Sequence, residues 1–344
     1  MSEQLTTTET SAGSTTVDTD RQSPTAENDK LGKLIGIILG LTVMIGAMLL
    51  AFATPQLNSG ARDLPLAVSG SPQALEQVTA QLEQGAADTF DITTYATADE
   101  GAEAIKNRDA IGGIALTGDG VTIQTAAGAG ASYKTVLTSI GAQLEAAGQQ
   151  VTYVELAPTT AEDPGGNALV SLGMPLIFGG MAGGAVFFLV YKGSLRNRLL
   201  GATVFAITGG LTATAILQFG FGTFDGNYWL TSLAVSAGIM AISYLILGLS
   251  SIIGYAGLGI VAVLMMFVSN PLSGLAAGPD WLPAFWGDFG QFLPVGAAGT
   301  AIRSGVYFDG AGATQAWIVL ACWIALGLGL AVLGARRRVA ASAR

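Results

Sequence analysis

The sequence predicts an α-helical polytopic membrane protein, about six transmembrane helices plus a re-entrant hairpin, carrying an inserted extracytoplasmic α/β domain. Three observations predict it. Only 11% of the 344 residues are charged and the mean hydropathy is +0.54, whereas a soluble domain carries about 25% charged residues. Apolar runs of about 20 residues recur, the length that crosses about 30 Å of hydrocarbon as a helix. Between the first run and the others lies one block in which strand and helix patterns alternate.

Residues 1–29 are rich in Ser, Thr, Asp, Glu and Gln and nearly free of large apolar side chains. Such a segment cannot bury enough surface to offset its ordering entropy, so a disordered cytoplasmic N-terminus is expected. Residues 30–54 form the first span, led by Lys30 and Lys33. Ala51-Phe52-Ala53 imitates a signal-peptidase site. The apolar run exceeds a signal core, however, and a long polar stretch precedes it, so a retained helix is expected. Gly32, Gly36 and Gly40 fall at i, i+4 and i+8, a stripe that permits close approach by another helix.

Residues 55–165 are expected to be the α/β domain. Strands are predicted at 64–69, 90–95, 111–116, 121–125 and 151–156, and helices at 72–84, 98–107 and 132–147. Ser71 suits an N-cap with Pro72 at the first helical position, and Gly118-Asp119-Gly120 suits a hairpin turn. The order β-α-β-α-β-β-α-β implies helices packed over one sheet. Gly128-Ala129-Gly130 resembles a phosphate loop only superficially, because no Lys stands where one is needed; a turn is expected. Pro164-Gly165-Gly166 is the exit linker.

Residues 166–335 are expected to be the membrane domain, with spans at 168–191, 199–220, 229–249, 252–269 and 314–334. The boundary near Ser250-Ser251 has no charge and little turn chemistry, so those two spans must join tightly. Gly179, Gly180, Gly183 and Gly184 make two overlapping G-x-x-x-G patterns, which suit helix packing more simply than a hinge. Basic residues cluster at Lys30 and Lys33, at Lys192, Arg196 and Arg198, and at Arg336–Arg338. With six spans all three clusters fall on one side. The positive-inside rule makes that side the cytoplasm, with both termini inside, a basic tail at 336–344, and the α/β domain outside the cell membrane.

The segment from Asn270 to Gly312 is neither a span nor an ordinary loop. Around Pro294 it offers two pieces of about ten residues, or about 15 Å each as helix, too short to cross. They suit a broken hairpin at about 279–305 that dips in from the outer side and returns. An interfacial loop with its Trp residues at the headgroups is the alternative. Arg303 is the only cation between Leu199 and Arg336. Either it serves a pathway, or it pairs with Asp288 or Asp309, or it snorkels to the surface. Asn270, Trp286, Pro294 and Arg303 are therefore the candidate gate or pathway residues.

Other chemistry is not expected. The net charge of −9 resides in the polar N-terminus and the α/β block, so neither a cationic partner nor nucleic acid is implied. With no His and a single Cys, Cys322, the chain lacks a His base, an internal disulfide and a His/Cys zinc site. No nucleotide-binding G-x-x-x-x-G-K-[ST] occurs, and no enzyme or cofactor is expected.

Several motifs together resemble a known group: Asn270-Pro271-Leu272-Ser273-Gly274, Trp281-Leu282-Pro283, Phe292-Leu293-Pro294-Val295-Gly296-Ala297-Ala298, Arg303-Ser304 and Tyr307-Phe308-Asp309-Gly310. With the architecture of one span, an exported domain and five further spans, the chain resembles membrane subunits of type-2 ABC exporters. The nearer likeness is to the YhgE/Pip (phage-infection protein)-like family. The resemblance implies a permease-like, dimeric component handling amphipathic or envelope-associated cargo, served by a separate ATPase. Residues 1–29 contain no amphipathic helix and the 192–198 loop is short, which leaves little surface for such an ATPase. A non-transporting envelope scaffold or receptor, whose exported domain binds a partner, is the alternative. Polar residues in the membrane half are few (Gln218, Asn270, Gln291, Arg303), which suits lipid-like cargo or none.

Overall fold

The structure is a computed structural model describing residues 24–86, 89–118, 120–283 and 285–342. Residues 1–23 of the N-terminus, Asp119 at the expected hairpin turn and the last two residues of the tail lie outside the described residues. The chain divides into two compact units, Met1–Leu49 and Leu50–Arg344.

In the first unit helix α1 (Pro24–Leu57) begins. It opens at Pro24, inside the stretch expected to be unstructured, because Pro suits the first helical turn and an apolar helix once nucleated extends cheaply. A Cβ placed at Gly32, Gly36 or Gly40 would meet nothing within 4 Å.

The second unit contains a five-stranded mixed sheet. Along the chain run β1 (Leu64–Ser69), α2 (Pro72–Ala86), β2 (Phe90–Tyr95), α3 (Ala98–Lys106), β3 (Gly112–Thr117), β4 (Gly120–Thr125), α4 (Ala131–Ala146) and β5 (Val151–Glu155). The strand order is β2-β1-β3-β4-β5, parallel except for the β3–β4 hairpin. Alternation sorts the side chains onto two faces. Leu64, Leu66, Val68, Ile114 and Ile123 pack under α2 and α4. Ala67 on the opposite face joins Ile105 of α3 and Phe308, so this second core is shared with the C-terminal half of the chain. Thr97 caps α3, its hydroxyl accepting from Glu100 N at 3.2 Å while the Glu100 carboxylate accepts from Ala96 N at 3.0 Å. Residues Ala127–Ala129 form a single 3-10 turn. Glu155 holds that turn against the sheet end, accepting from Ala127 N at 2.7 Å and from Lys134 Nζ at 2.9 Å.

Beyond the sheet the chain is helical: α5 (Asn167–Leu189), α6 (Leu195–Ala215), α7 (Tyr228–Ile253), α8 (Tyr255–Val263), α9 (Trp286–Gln291), α10 (Pro294–Tyr307) and α11 (Thr314–Ser342). Buried Asp163 starts α5, accepting from Asn167 N at 2.8 Å and Ala168 N at 2.7 Å. π-Helical stretches continue α6 over Ile216–Gly220 and α8 over Leu264–Ser269. Among the described residues five helices are long and apolar enough to cross a membrane: Lys30–Thr54, Asn167–Leu189, Leu195–Gly220, Tyr228–Ile253 and Thr314–Arg338. They are compatible with a membrane-embedded protein. Tyr255–Ser269 is apolar but shorter, about 22 Å at 1.5 Å per residue.

Helix α7 is the hub of this bundle, with α5, α6, α10 and α11 packed around it. Glycines set the approach of α5. A Cβ on Gly180 would lie 2.7 Å from Ile242 Cβ, and one on Gly184 the same distance from Ile246 Cβ, whereas at Gly179 the nearest atom is 4.0 Å away. Gly183 faces the Phe205 ring of α6. The α7–α8 break falls at Gly254, whose φ of +66° only Gly adopts freely, and not at Ser250-Ser251. Ser251 keeps α7 going, donating to the Gly248 and Leu330 carbonyls at 2.7 and 3.1 Å. Cys322 on α11 is exposed.

Candidate functional site

The site is built around α10, whose sequence is nearly all small residues. Leu293 is extended and Pro294 occupies the first turn, where its missing N–H costs nothing. Val295 N donates instead across the chain to Ser269 Oγ at 3.1 Å. The two pieces are unequal, against the expectation of about ten residues each: α9 has 6 residues and α10 has 14. Aromatic crowding at Phe285, Trp286 and Phe289 confines α9, while small side chains let α10 run on inside the bundle. Neither piece reaches 30 Å. Gly299 approaches Leu275 and Gly305 approaches Thr231, so α10 is buried almost along its length.

Arg303 lies in the C-terminal half of this helix and is only 5% exposed. Its Nη2 donates to the Leu275 carbonyl at 3.0 Å, and its Nε has no partner among the described residues. It bonds to neither Asp288 nor Asp309, and burial rules out snorkelling, which corrects those expectations. The ion pairs among the described residues are Lys106–Glu103 and Lys134–Glu155, both in the sheet domain. A buried cation whose hydrogen-bond acceptor among the described residues is a carbonyl is costly to bury.

What Arg303 touches is the wall of a groove. The stretch 270–282 borders a cavity of about 290 Å³ lined by Phe52, Val170, Met174, Asn270, Ser273 and Trp281. Ser273 Oγ donates to the Asn270 carbonyl at 2.7 Å and Gln291 Nε2 donates to the Ser273 carbonyl at 3.1 Å. Thr300 Oγ1 in turn donates to Gln291 Oε1 at 2.7 Å, so α10 braces this wall twice. The groove is lined mostly by apolar residues with Asn270 and Ser273 among them: it can hold an amphipathic molecule by contact and hydrogen bonding. Of the residues singled out by sequence, Asn270 lines the groove and Arg303 stands one contact behind it. Trp286 is 45% exposed among other aromatics, and buried Pro294 starts α10; neither lines the groove.

The sheet domain grips the same segment. Tyr133 Oη donates to Asp280 Oδ2 at 2.7 Å, and Gly60 N donates to the Trp281 carbonyl at 3.1 Å. Arg108 Nη1 donates to the Thr300 carbonyl at 3.2 Å while its guanidinium sits 5.4 Å from the Phe308 ring centroid. Gly128 abuts the Tyr307 ring so closely that a side chain there would collide with it. Burial, and then Arg303, pull the Arg108 guanidinium down to about 10. Burial lifts Asp280 above the usual carboxylate range, outweighing the Tyr133 hydrogen bond that acts the other way. Burial and the neighbouring Asp280 push the Tyr133 phenol up. Sequence reasoning missed Arg108, Tyr133 and Asp280. A lone carboxylate between Pro279 and Trp281, in an otherwise apolar stretch, was the available signal for Asp280; nothing local marks the other two.

Among the described residues no group of three or more His, Cys, Asp or Glu side chains gathers as a metal site would need. Comparison with protein-family models, with curated proteins and with solved structures finds no match.

Proposed function

We propose that the chain is a permease-like component of a membrane export system for amphipathic or envelope-associated cargo. The observation that carries this reading is the groove beside 270–282, whose wall is pinned from inside the bundle by Arg303 and from the sheet domain by Tyr133. A wall held from two sides can pass a displacement of the sheet domain to the groove. In this reading Tyr255–Ser269 is a short sixth span, α9 and α10 form a re-entrant hairpin, and the sheet domain lies outside the cell membrane with both termini in the cytoplasm. Two copies would pair along the Gly32/Gly36/Gly40 face, and any ATPase partner would have only the short loop at 192–198 and the chain ends to hold.

A second reading, an envelope scaffold or receptor, draws support from the tight packing around α7, which suits an anchor. Retention of a fluorescent dodecanoate by cells separates the two. Cells making the full chain should retain several-fold less than cells lacking it, and Arg303→Gln should abolish that difference at unchanged membrane level. Equal retention with and without the chain would overturn the export reading in favour of the scaffold.

A further inference from the structure

At the opposite end of the bundle from the hairpin, where Arg198 and Arg338 lie, α6, α7 and α11 leave a cleft of about 220 Å³. It is lined by Gly193, Leu195, Arg198, Leu247, Ser251 and Arg338, among others. Its walls are unlike those of the apolar groove between α5 and α6, which is bordered by Pro175, Phe205 and Ile239 and needs nothing beyond lipid tails. Two arginines from different helices, Arg198 of α6 and Arg338 of α11, line it. Arg338 Nη2 donates to the Ser251 carbonyl at 2.9 Å, which ties that side chain to α7. Arg198 Nε is buried and has no partner among the described residues. The first turn of α6 opens at the same place: Ser194 caps it through Asn197 N at 3.3 Å, and Leu195 faces the cleft. The positive end of a 21-residue helix therefore adds to the two cations.

We infer that this cleft binds a phosphate group, in the first place the headgroup phosphate of an anionic phospholipid. A buried guanidinium nitrogen lacking an acceptor, a second guanidinium lining the same cleft, and a helix N-terminus together supply the donors a phosphate oxygen set accepts from. Leu195, Leu247, Ala331 and Ala335 supply apolar wall for the glycerol and upper acyl carbons of a lipid. Basic clefts between helices at a membrane face take anionic headgroups by this chemistry. The cleft is separate from the groove beside 270–282 and does not depend on the export reading.

The test is native mass spectrometry of the full chain released from nanodiscs. Discs of phosphatidylcholine alone are compared with discs containing phosphatidylglycerol, with and without added inorganic phosphate. Wild-type protein should retain phosphatidylglycerol in preference to phosphatidylcholine. Each of Arg198→Gln and Arg338→Gln should weaken that retention about tenfold or more, the loss of one charge-assisted hydrogen bond. Arg336→Gln with Arg337→Gln, which removes twice the charge of either cleft variant but outside the cleft, should leave it unchanged. Inorganic phosphate bound in phosphatidylcholine discs and lost in the cleft variants would support the phosphate site while assigning it to a soluble ion. Equal retention of the two lipids with no phosphate adduct would overturn the inference. So would loss of binding in the Arg336/Arg337 variant as large as in the cleft variants. Circular dichroism of each variant guards against misfolding; if a glutamine variant unfolds, Arg198→Lys, which keeps the charge but lacks Nε, should still lower retention.

Discussion

A side-chain hydrogen bond from Tyr133 to Asp280 joins the sheet domain to the stretch that walls the groove, and burial raises both of its partners. Tyr133→Phe removes the donor to Asp280 Oδ2 and leaves a half-buried carboxylate short of a partner. The expected cost is about 1 kcal/mol in thermal or denaturant unfolding, partly recovered when Asp280→Asn is added, since a neutral amide is cheaper to bury. The pH dependence has a definite sign. Burial raises Asp280 above its ordinary value in the folded protein, so the folded state binds that proton more tightly than the unfolded chain does. Stability should therefore rise as pH falls through the folded value, and the rise should vanish in Asp280→Asn. A flat profile in both proteins would show that Asp280 is fully solvated. The pairing was not readable from sequence, because Tyr133 and Asp280 are far apart in the chain and only the tertiary fold brings them together.

At the level of elements, what the sequence carried were local signals. Alternation located the five strands to within a residue or so, and Pro72 and Pro294 marked the starts of α2 and α10. The α7–α8 break was misplaced because two serines look like a boundary, whereas the decisive property is the positive φ at Gly254. The lengths of α9 and α10 were missed because aromatic crowding and small-residue packing are tertiary effects. The glycine pairs in α5 allow a sharper test. Gly180→Leu drives a branched side chain into Ile242 and should destabilise the bundle by about 1–3 kcal/mol, measured as a lower unfolding temperature in detergent. Gly179→Ala meets only an atom 4.0 Å away and should be nearly neutral or slightly stabilising. Equal losses at both positions would mean that α5 does not pack on α7 through this face.

For the whole molecule, composition and the long apolar runs carried the membrane character, and the alternating block carried the sheet. The coupling between the two halves was not legible, because Arg108 and Gly128 look like ordinary loop residues until they meet Thr300, Tyr307 and Phe308. The proposed pairing of two copies through the α1 glycine stripe makes one prediction at this scale. Crosslinking in membranes should trap a dimer, and Gly36→Leu should reduce it several-fold; an unchanged yield would place the contact elsewhere. The central claim is that a groove on the outer side is walled by 270–282, with α10 buried behind it and the chain ends inside. Labelling single cysteines with a membrane-impermeant maleimide in intact cells, in a Cys322→Ser background, tests it most directly. Gly118→Cys in the sheet domain and Ala276→Cys on the groove wall should label, while Ala298→Cys within α10 and Ala340→Cys near the C-terminus should label only after the membrane is dissolved and the protein unfolded. Labelling of Ala298→Cys as readily as Ala276→Cys, or of Gly118→Cys and Ala340→Cys alike, would contradict the account.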